Sequence, residues 1–83
     1  MVKTNELKKG DLIELRNGWR ARIEDNLKGN IRMATVWGYC TEMGSVYAFD
    51  IVKVYNADGS ITPIEHTPAQ LKLMKKVNNL FLE

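Results

Sequence analysis

The chain has 83 residues, of which 45% are hydrophobic and 27% charged, and its formal net charge is +2. This length gives one domain near the small end of what folds without staples, and this composition excludes a disordered chain. The single cysteine, Cys40, excludes an internal disulfide and any multi-cysteine zinc site, while the mild, interleaved charge excludes an acidic mimic of DNA and leaves an anionic ligand open.

The first nine residues are polar and mixed, and they read as a loose arm with a helical turn near 5–8. Gly10-Asp11 opens a strand, Leu12-Ile13-Glu14-Leu15-Arg16, and Asn17-Gly18 then predicts a two-residue type I′ turn, whose central residues need positive φ. Beyond it the alternation is faultless: Trp19, Ala21 and Ile23 take one face, and Arg20, Arg22 and Glu24 the other. Residues 25–30 read as a loop. The third strand, from Ile31 to about Cys40, has no purely polar face, which predicts a central strand covered on both sides for part of its length. Gly38 marks either a bulge or a close approach by another group.

A polar, glycine-containing turn is expected from Thr41 to Ser45, followed by Val46–Phe49 and Ile51–Tyr55 as one bent strand or two short ones. Residues 56–59 form another turn, and Ser60-Ile61-Thr62 is a short last strand that Pro63 limits to an edge. Thr67-Pro68-Ala69-Gln70 combines an N-cap threonine, a proline at the first helical position and a capping-box glutamine. Leu71, Met74, Val77, Leu80 and Phe81 recur at helical spacing while Lys72, Lys75 and Lys76 stay wet, so one amphipathic helix is expected over 67–82.

Five or six short strands and one terminal helix predict a mainly β fold, a small antiparallel SH3-like barrel over residues 10–65 lidded by the helix. An OB-type barrel is the second choice and would need longer strands. Short apolar runs predict no membrane span, and the lack of a signal-like apolar run at the start predicts a reducing cytoplasm.

Catalytic patterns are missing: there is no serine-hydrolase, phosphate-loop or dinucleotide glycine motif, and no cofactor, catalytic residue or metal site is expected. His66 reads as a surface or capping-region histidine, and Cys40 as a buried, unreactive thiol. Binding candidates are more numerous. Arg20, Arg22 and Arg32 would share one sheet face if the second and third strands pair, as a seat for phosphate or an acidic protein, or simply as a solvated face. Trp37, Tyr39 and Tyr47 could stack on a base or serve as core and rim aromatics. Glu42, Ser45 and Asp50 would give directional hydrogen bonds along an expected working edge, Thr41–Asp50, or merely satisfy turn amides and the Tyr47 hydroxyl.

The runs Leu12–Trp19, Ile23–Asn26, Thr41–Tyr47, Asp50-Ile51 and Pro63–Leu71 resemble a group of small phage-encoded hypothetical proteins without assigned chemistry, over most of residues 7–77. The resemblance implies a phage or prophage accessory protein acting inside the infected bacterial cell. The expected function is non-enzymatic capture of a host factor, such as a defence component, or of a nucleotide-like small molecule. A nucleic-acid-binding barrel and a structural protein–protein interaction domain are the alternatives. Homo-oligomerisation through the terminal helix or an edge strand would suit a domain this small.

Overall fold

The computed structural model describes residues 1–82, with side chains described through residue 76. Six strands form one sheet: β1 (Leu12–Leu15), β2 (Arg20–Ile23), β3 (Ile31–Trp37), β4 (Thr41–Tyr47), β5 (Ile51–Tyr55) and β6 (Ile61–Pro63), followed by the helix α1 (Pro68–Leu82). Their order is β4-β3-β2-β1-β5-β6 and all neighbours are antiparallel, so the fold is mainly β with one C-terminal helix. Strands β1 to β4 run as a meander. A one-turn 3-10 helix, Ala48–Asp50, then carries the chain back to lay β5 on the free side of β1. The two edges of the sheet are β4 and β6.

The first hairpin forms where Asn17-Gly18 places it, by a different turn. Gly18 N–H donates to the Leu15 carbonyl at 2.9 Å and Leu15 N–H to the Trp19 carbonyl at 2.7 Å. Only Gly18 takes positive φ, at 92°, while Asn17 keeps negative φ and uses its Oδ1 to accept from Trp19 N–H at 3.0 Å. The loop therefore has three residues and ends in a glycine bulge, replacing the expected two-residue turn. The β5–β6 loop repeats the device: Gly59, at φ 87°, donates to the Asn56 carbonyl at 3.0 Å.

The β3–β4 turn differs from expectation. It lies at 38–40, where Gly38 N–H donates to the Cys40 carbonyl at 3.3 Å, and Thr41–Ser45 belongs to β4. The cause is at Gly38: a Cβ there would lie 2.5 Å from the Trp19 ring, so only glycine lets the indole lie against this backbone. Gly44 and Ser45 have turn composition, but they pair in register with Ala34 and Met33. Cys40 is exposed on the turn and not buried as expected.

One face of the sheet makes the core. Ile13, Ile23 and Ile51 are fully buried, with Leu15, Ala21, Ala34, Val46, Val54 and Ile64 around them. Burial of each isoleucine stabilises the fold by about 1.5–3 kcal/mol relative to exposure.

The N-terminal arm is docked, not loose. Val2 bridges to Ile64 in parallel, residues Thr4–Glu6 make a 3-10 turn, and Thr4 and Leu7 are buried. What holds the arm is Arg32, which lies with Ala34 on the core side of β3 and is completely buried. Its Nη1 donates to the Thr4 carbonyl at 2.8 Å and its Nη2 to the carbonyls of Leu7 (2.8 Å) and Asp25 (3.0 Å). Its Nε meets Asp25 Oδ1 at 2.7 Å. A guanidinium suits this place because its fixed fork reaches several acceptors at once.

The capping box forms as the spacing predicts: Thr67 N–H donates to Gln70 Oε1 at 3.0 Å and Gln70 N–H to Thr67 Oγ1 at 3.2 Å. Gln70 also donates from Nε2 to Thr4 Oγ1 at 2.8 Å, tying the helix to the arm. The helix packs against the 3-10 turn at Ala48–Asp50. Leu71, expected on its buried face, is exposed, and the capping glutamine is buried in its place. Val77, Leu80 and Phe81 lie outside the described side chains. Among the described residues no helix is long and apolar enough to cross a membrane.

Candidate functional site

The face of the sheet opposite the core carries an unusual set of side chains. Strict alternation puts Leu12 and Glu14 of β1, Arg20 and Arg22 of β2, Met33, Thr35 and Trp37 of β3, and Met43 of β4 on this outer side. In register, Glu14, Arg20, Trp37 and Thr41 form one row across the strands, and Leu12, Arg22, Thr35 and Met43 the next. Leu12, Trp37 and Met43 are 44%, 38% and 67% exposed. Large apolar side chains seldom crowd the solvent side of a sheet without a use.

The arginines lie over the aromatics. Arg20 Cζ is 5.2 Å from the ring centre of Tyr55, and Arg22 Cζ is 5.8 Å from that of Trp37. At such distances the ring quadrupole attracts the cation, which holds each long side chain flat on the sheet. Both charges are partly answered within the chain. Glu24 pairs with Arg22 Nη2 at 3.0 Å and accepts from Thr35 Oγ1 at 2.5 Å. The Thr35 hydroxyl first, and then Arg22, hold its carboxyl below the usual range. Glu14 accepts from the Tyr55 hydroxyl at 2.6 Å and meets Lys53 Nζ at 3.3 Å. Tyr55 above all, with Lys53 and Arg20 behind it, lowers its pKa against a smaller desolvation penalty. The outer face is thus apolar and aromatic with a nearly balanced set of fixed charges.

A groove of about 730 Å³ opens on this side, bounded by Leu12, Trp19, Arg20, Trp37 and Tyr55. A second, of about 460 Å³, lies at the end of the sheet between the β1–β2 loop and β4, bounded by Arg16, Asn17, Ser45, Tyr47 and Asp50. There Asp50 Oδ1 is 3.0 Å from Arg16 Nη2, an ion-pair contact without hydrogen-bond alignment. Arg16 also lies over Phe49, with Cζ 5.8 Å from the ring centre, and Tyr47 stacks on Phe49 at 5.2 Å.

The expected site residues therefore divide. Arg20, Arg22 and Trp37 come together on the outer face. Arg32 does not join them: β2 and β3 do pair, but Arg22 falls opposite Thr35, and Arg32 has the other parity and is spent on the N-terminal arm. Ser45, Tyr47 and Asp50 gather at the second groove, and Asp50 pairs with Arg16 where turn amides or the Tyr47 hydroxyl were expected. Glu42 lies within β4 and accepts from Cys40 Sγ at 3.1 Å. That bond and the carboxylate charge push the Cys40 thiol up, away from the thiolate a nucleophile needs. Tyr39 is the fully exposed tip of the β3–β4 turn, edge-on to Trp19 at 5.5 Å. His66 Nε2 lies 2.8 Å from the Ile51 carbonyl; since a carbonyl only accepts, this nitrogen carries the hydrogen.

Sequence reasoning missed Leu12, Arg16, Trp19 and Tyr55. Leu12 was detectable as an apolar residue sharing the parity of Glu14. Tyr55 was not, because its place beside Arg20 depends on β5 returning to β1. Comparison with family profiles, with curated proteins and with solved structures finds no match.

Proposed function

We propose that this chain is a non-enzymatic, phage-type accessory protein that holds a host protein on the outer face of its sheet and so sequesters or inhibits it in the bacterial cytoplasm. The observation that carries this reading is the side-chain set of that face: exposed Leu12, Met33, Trp37 and Met43, with Arg20 and Arg22 laid over Tyr55 and Trp37. Aromatic residues, methionine and arginine are the types enriched where proteins dock, and tryptophan, tyrosine and arginine carry most of the energy there. Glu24 pairs with Arg22 and Glu14 with Lys53, so two of the cations on this face already have carboxylate partners, which favours a protein over a polyphosphate or nucleic acid. The meander β1–β4, the 3-10 turn before β5 and the return of β5 to β1 support an SH3-like arrangement as the frame. The raised Cys40 thiol and the His66 bond to a backbone carbonyl support a role without chemistry.

A second reading, capture of a nucleotide-like small molecule, draws on the 730 Å³ groove, whose size suits such a ligand and whose walls are two tryptophans, Tyr55 and Arg20. One experiment separates them. The tagged protein and its Trp37→Ala and Arg22→Ala variants, each shown to be folded by circular dichroism, are used to capture partners from bacterial host cells. The same proteins are titrated calorimetrically with linear and cyclic nucleotides. One protein recovered in stoichiometric amount with the parent chain, and lost with both variants, is the expected outcome. Recovery unchanged by both substitutions refutes the docking face, and nucleotide heat abolished by Trp37→Ala replaces it with the second reading.

A further inference from the structure

The two edges of the sheet are finished differently. β6 is three residues long, ends in Pro63, and is followed at Ile64 by the bridge to Val2. Short length, proline and a covering segment are the usual guards against edge pairing. Among the described residues β4 has none of them. It is seven residues long, Thr-Glu-Met-Gly-Ser-Val-Tyr, with one charge, no proline, and an unbroken register along the whole of β3.

Which of its backbone groups are free follows from the ladder. Ala48 N–H donates to the Asn30 carbonyl, and Gly38 N–H to the Cys40 carbonyl, so the even-numbered residues of both strands face each other across the β3–β4 ladder. Glu24 N–H donates to the Met33 carbonyl, so the odd residues of β3 turn toward β2. By alternation, Thr41, Met43, Ser45 and Tyr47 direct their N–H and C=O groups away from the sheet.

We infer that β4 pairs antiparallel with β4 of a second copy of this chain, about a two-fold axis through Gly44, to join two sheets into one. This register is singled out by the sequence. It pairs all seven residues, sets Thr41 opposite Tyr47 and Met43 opposite Ser45 as hydrogen-bonded pairs, and places Glu42 opposite Val46 so that the carboxylates do not meet. Gly44 faces Gly44 at the axis, where strands approach most closely. An isologous contact of this kind closes on itself and produces a dimer, not a fibre. Shifting the axis to Met43 or Ser45 leaves residues of β4 without partners. The inference stands apart from the docking face at Trp37, Arg20 and Arg22, which are not on this edge; Met43 alone belongs to both, so no edge variant is placed there.

The test uses the full chain. Light scattering across micromolar to millimolar concentration should show the mass rising from 9.5 kDa toward twice that value. Ser45→Pro removes an outward N–H and leaves the β3 ladder intact, so it should remain monomeric throughout with an unchanged circular dichroism spectrum. Ser45→Lys, which guards the edge with a charge and lies outside the docking set, should do the same if the proline variant does not fold. In a Cys40→Ser background, Gly44→Cys should crosslink under mild oxidation, because opposed residues at a non-hydrogen-bonded site lie within disulfide reach. Val46→Cys, which faces Glu42 across the axis, should not. A parent chain that stays at monomer mass at every concentration overturns the inference. So does a dimer untouched by the edge variants, or crosslinking at Val46→Cys in preference to Gly44→Cys. Trp37→Ala should leave the dimer unaffected, which separates failure here from failure of the docking face.

Discussion

Replacing Arg32 by methionine tests the deepest feature of the interior. The substitution keeps the aliphatic bulk and deletes the guanidinium. Left behind are the carboxylate of Asp25 and the carbonyls of Thr4, Leu7 and Asp25, which the four bonds at 2.7–3.0 Å now satisfy. Removing one partner of a buried ion pair costs about 3–5 kcal/mol, because the other charge stays desolvated. Asp25 retains the N–H groups of Met33, at 2.7 Å, and Leu27, at 3.2 Å, which places the expected loss at the lower end, about 3 kcal/mol. A domain of this size has a total stability of about 4–12 kcal/mol. The variant is therefore expected to unfold at a markedly lower urea concentration, followed by the fluorescence of Trp19 and Trp37. Its melting temperature should fall by about 12 °C or more. Hydrogen exchange should show the amides of 2–7 losing protection first, since Arg32 clamps that segment. A variant within about 1 kcal/mol of the parent, with the arm still protected, would refute the reasoning.

Acid should destabilise the protein through its paired carboxylates. Desolvation would raise the Asp25 pKa, but it is outweighed by the Met33 N–H, Arg32 and the Leu27 N–H, so the folded value lies below the ordinary one. Glu14, Glu24 and Asp58 are lowered as well. A depressed folded pKa contributes stability that is complete above the unfolded value and is lost as pH falls through the folded one. The urea midpoint should therefore be level from about pH 7 to about pH 5 and drop below about pH 4; a midpoint that rises on acidification would contradict this. Gly38→Ala should cost about 1–3 kcal/mol and shift the tryptophan emission, because the new methyl drives the Trp19 ring off the turn and away from Tyr39. Thr67→Ala should cost about 1 kcal/mol in thermal melts by unmaking the reciprocal cap with Gln70.

What could be read in advance follows the range of the interactions involved. The first hairpin and the helix cap were legible because their determinants lie within four residues of each other, Asn17-Gly18 in one case and Thr67 with Gln70 in the other. The turn after β3 was not. Gly38 is required there by Trp19, which is distant in sequence, whereas Gly44 and Ser45 imitate a turn with their composition alone. Arg32 misled for a related reason. Arginine on a strand predicts solvent, and its burial becomes reasonable only once Thr4, Leu7 and Asp25 have delivered acceptors to it. The docked arm is the same event seen from the other chain segment. For the candidate site, parity was sufficient to keep Arg20 with Arg22, but not to set β2 against β3. Joining Arg32 to them would have put Trp37 on the opposite face, and the observed register, with Arg22 opposite Thr35, brings in Trp37 instead. Tyr55 needed the pairing of β5 with β1, and the grouping of Ser45, Tyr47 and Asp50 around Arg16 needed the 3-10 turn.

The docking face is tested most directly by oxidative footprinting of the protein alone and in bacterial host extract. Trp37, Met33 and Met43 report from the outer face, and Met1, which is also exposed, reports from outside it. Protection of Trp37 and Met33 in extract, with Met1 labelled equally in both conditions, is the predicted result. Equal labelling of Trp37 and Met33 with and without extract would contradict the assignment of this face as the place where a partner sits.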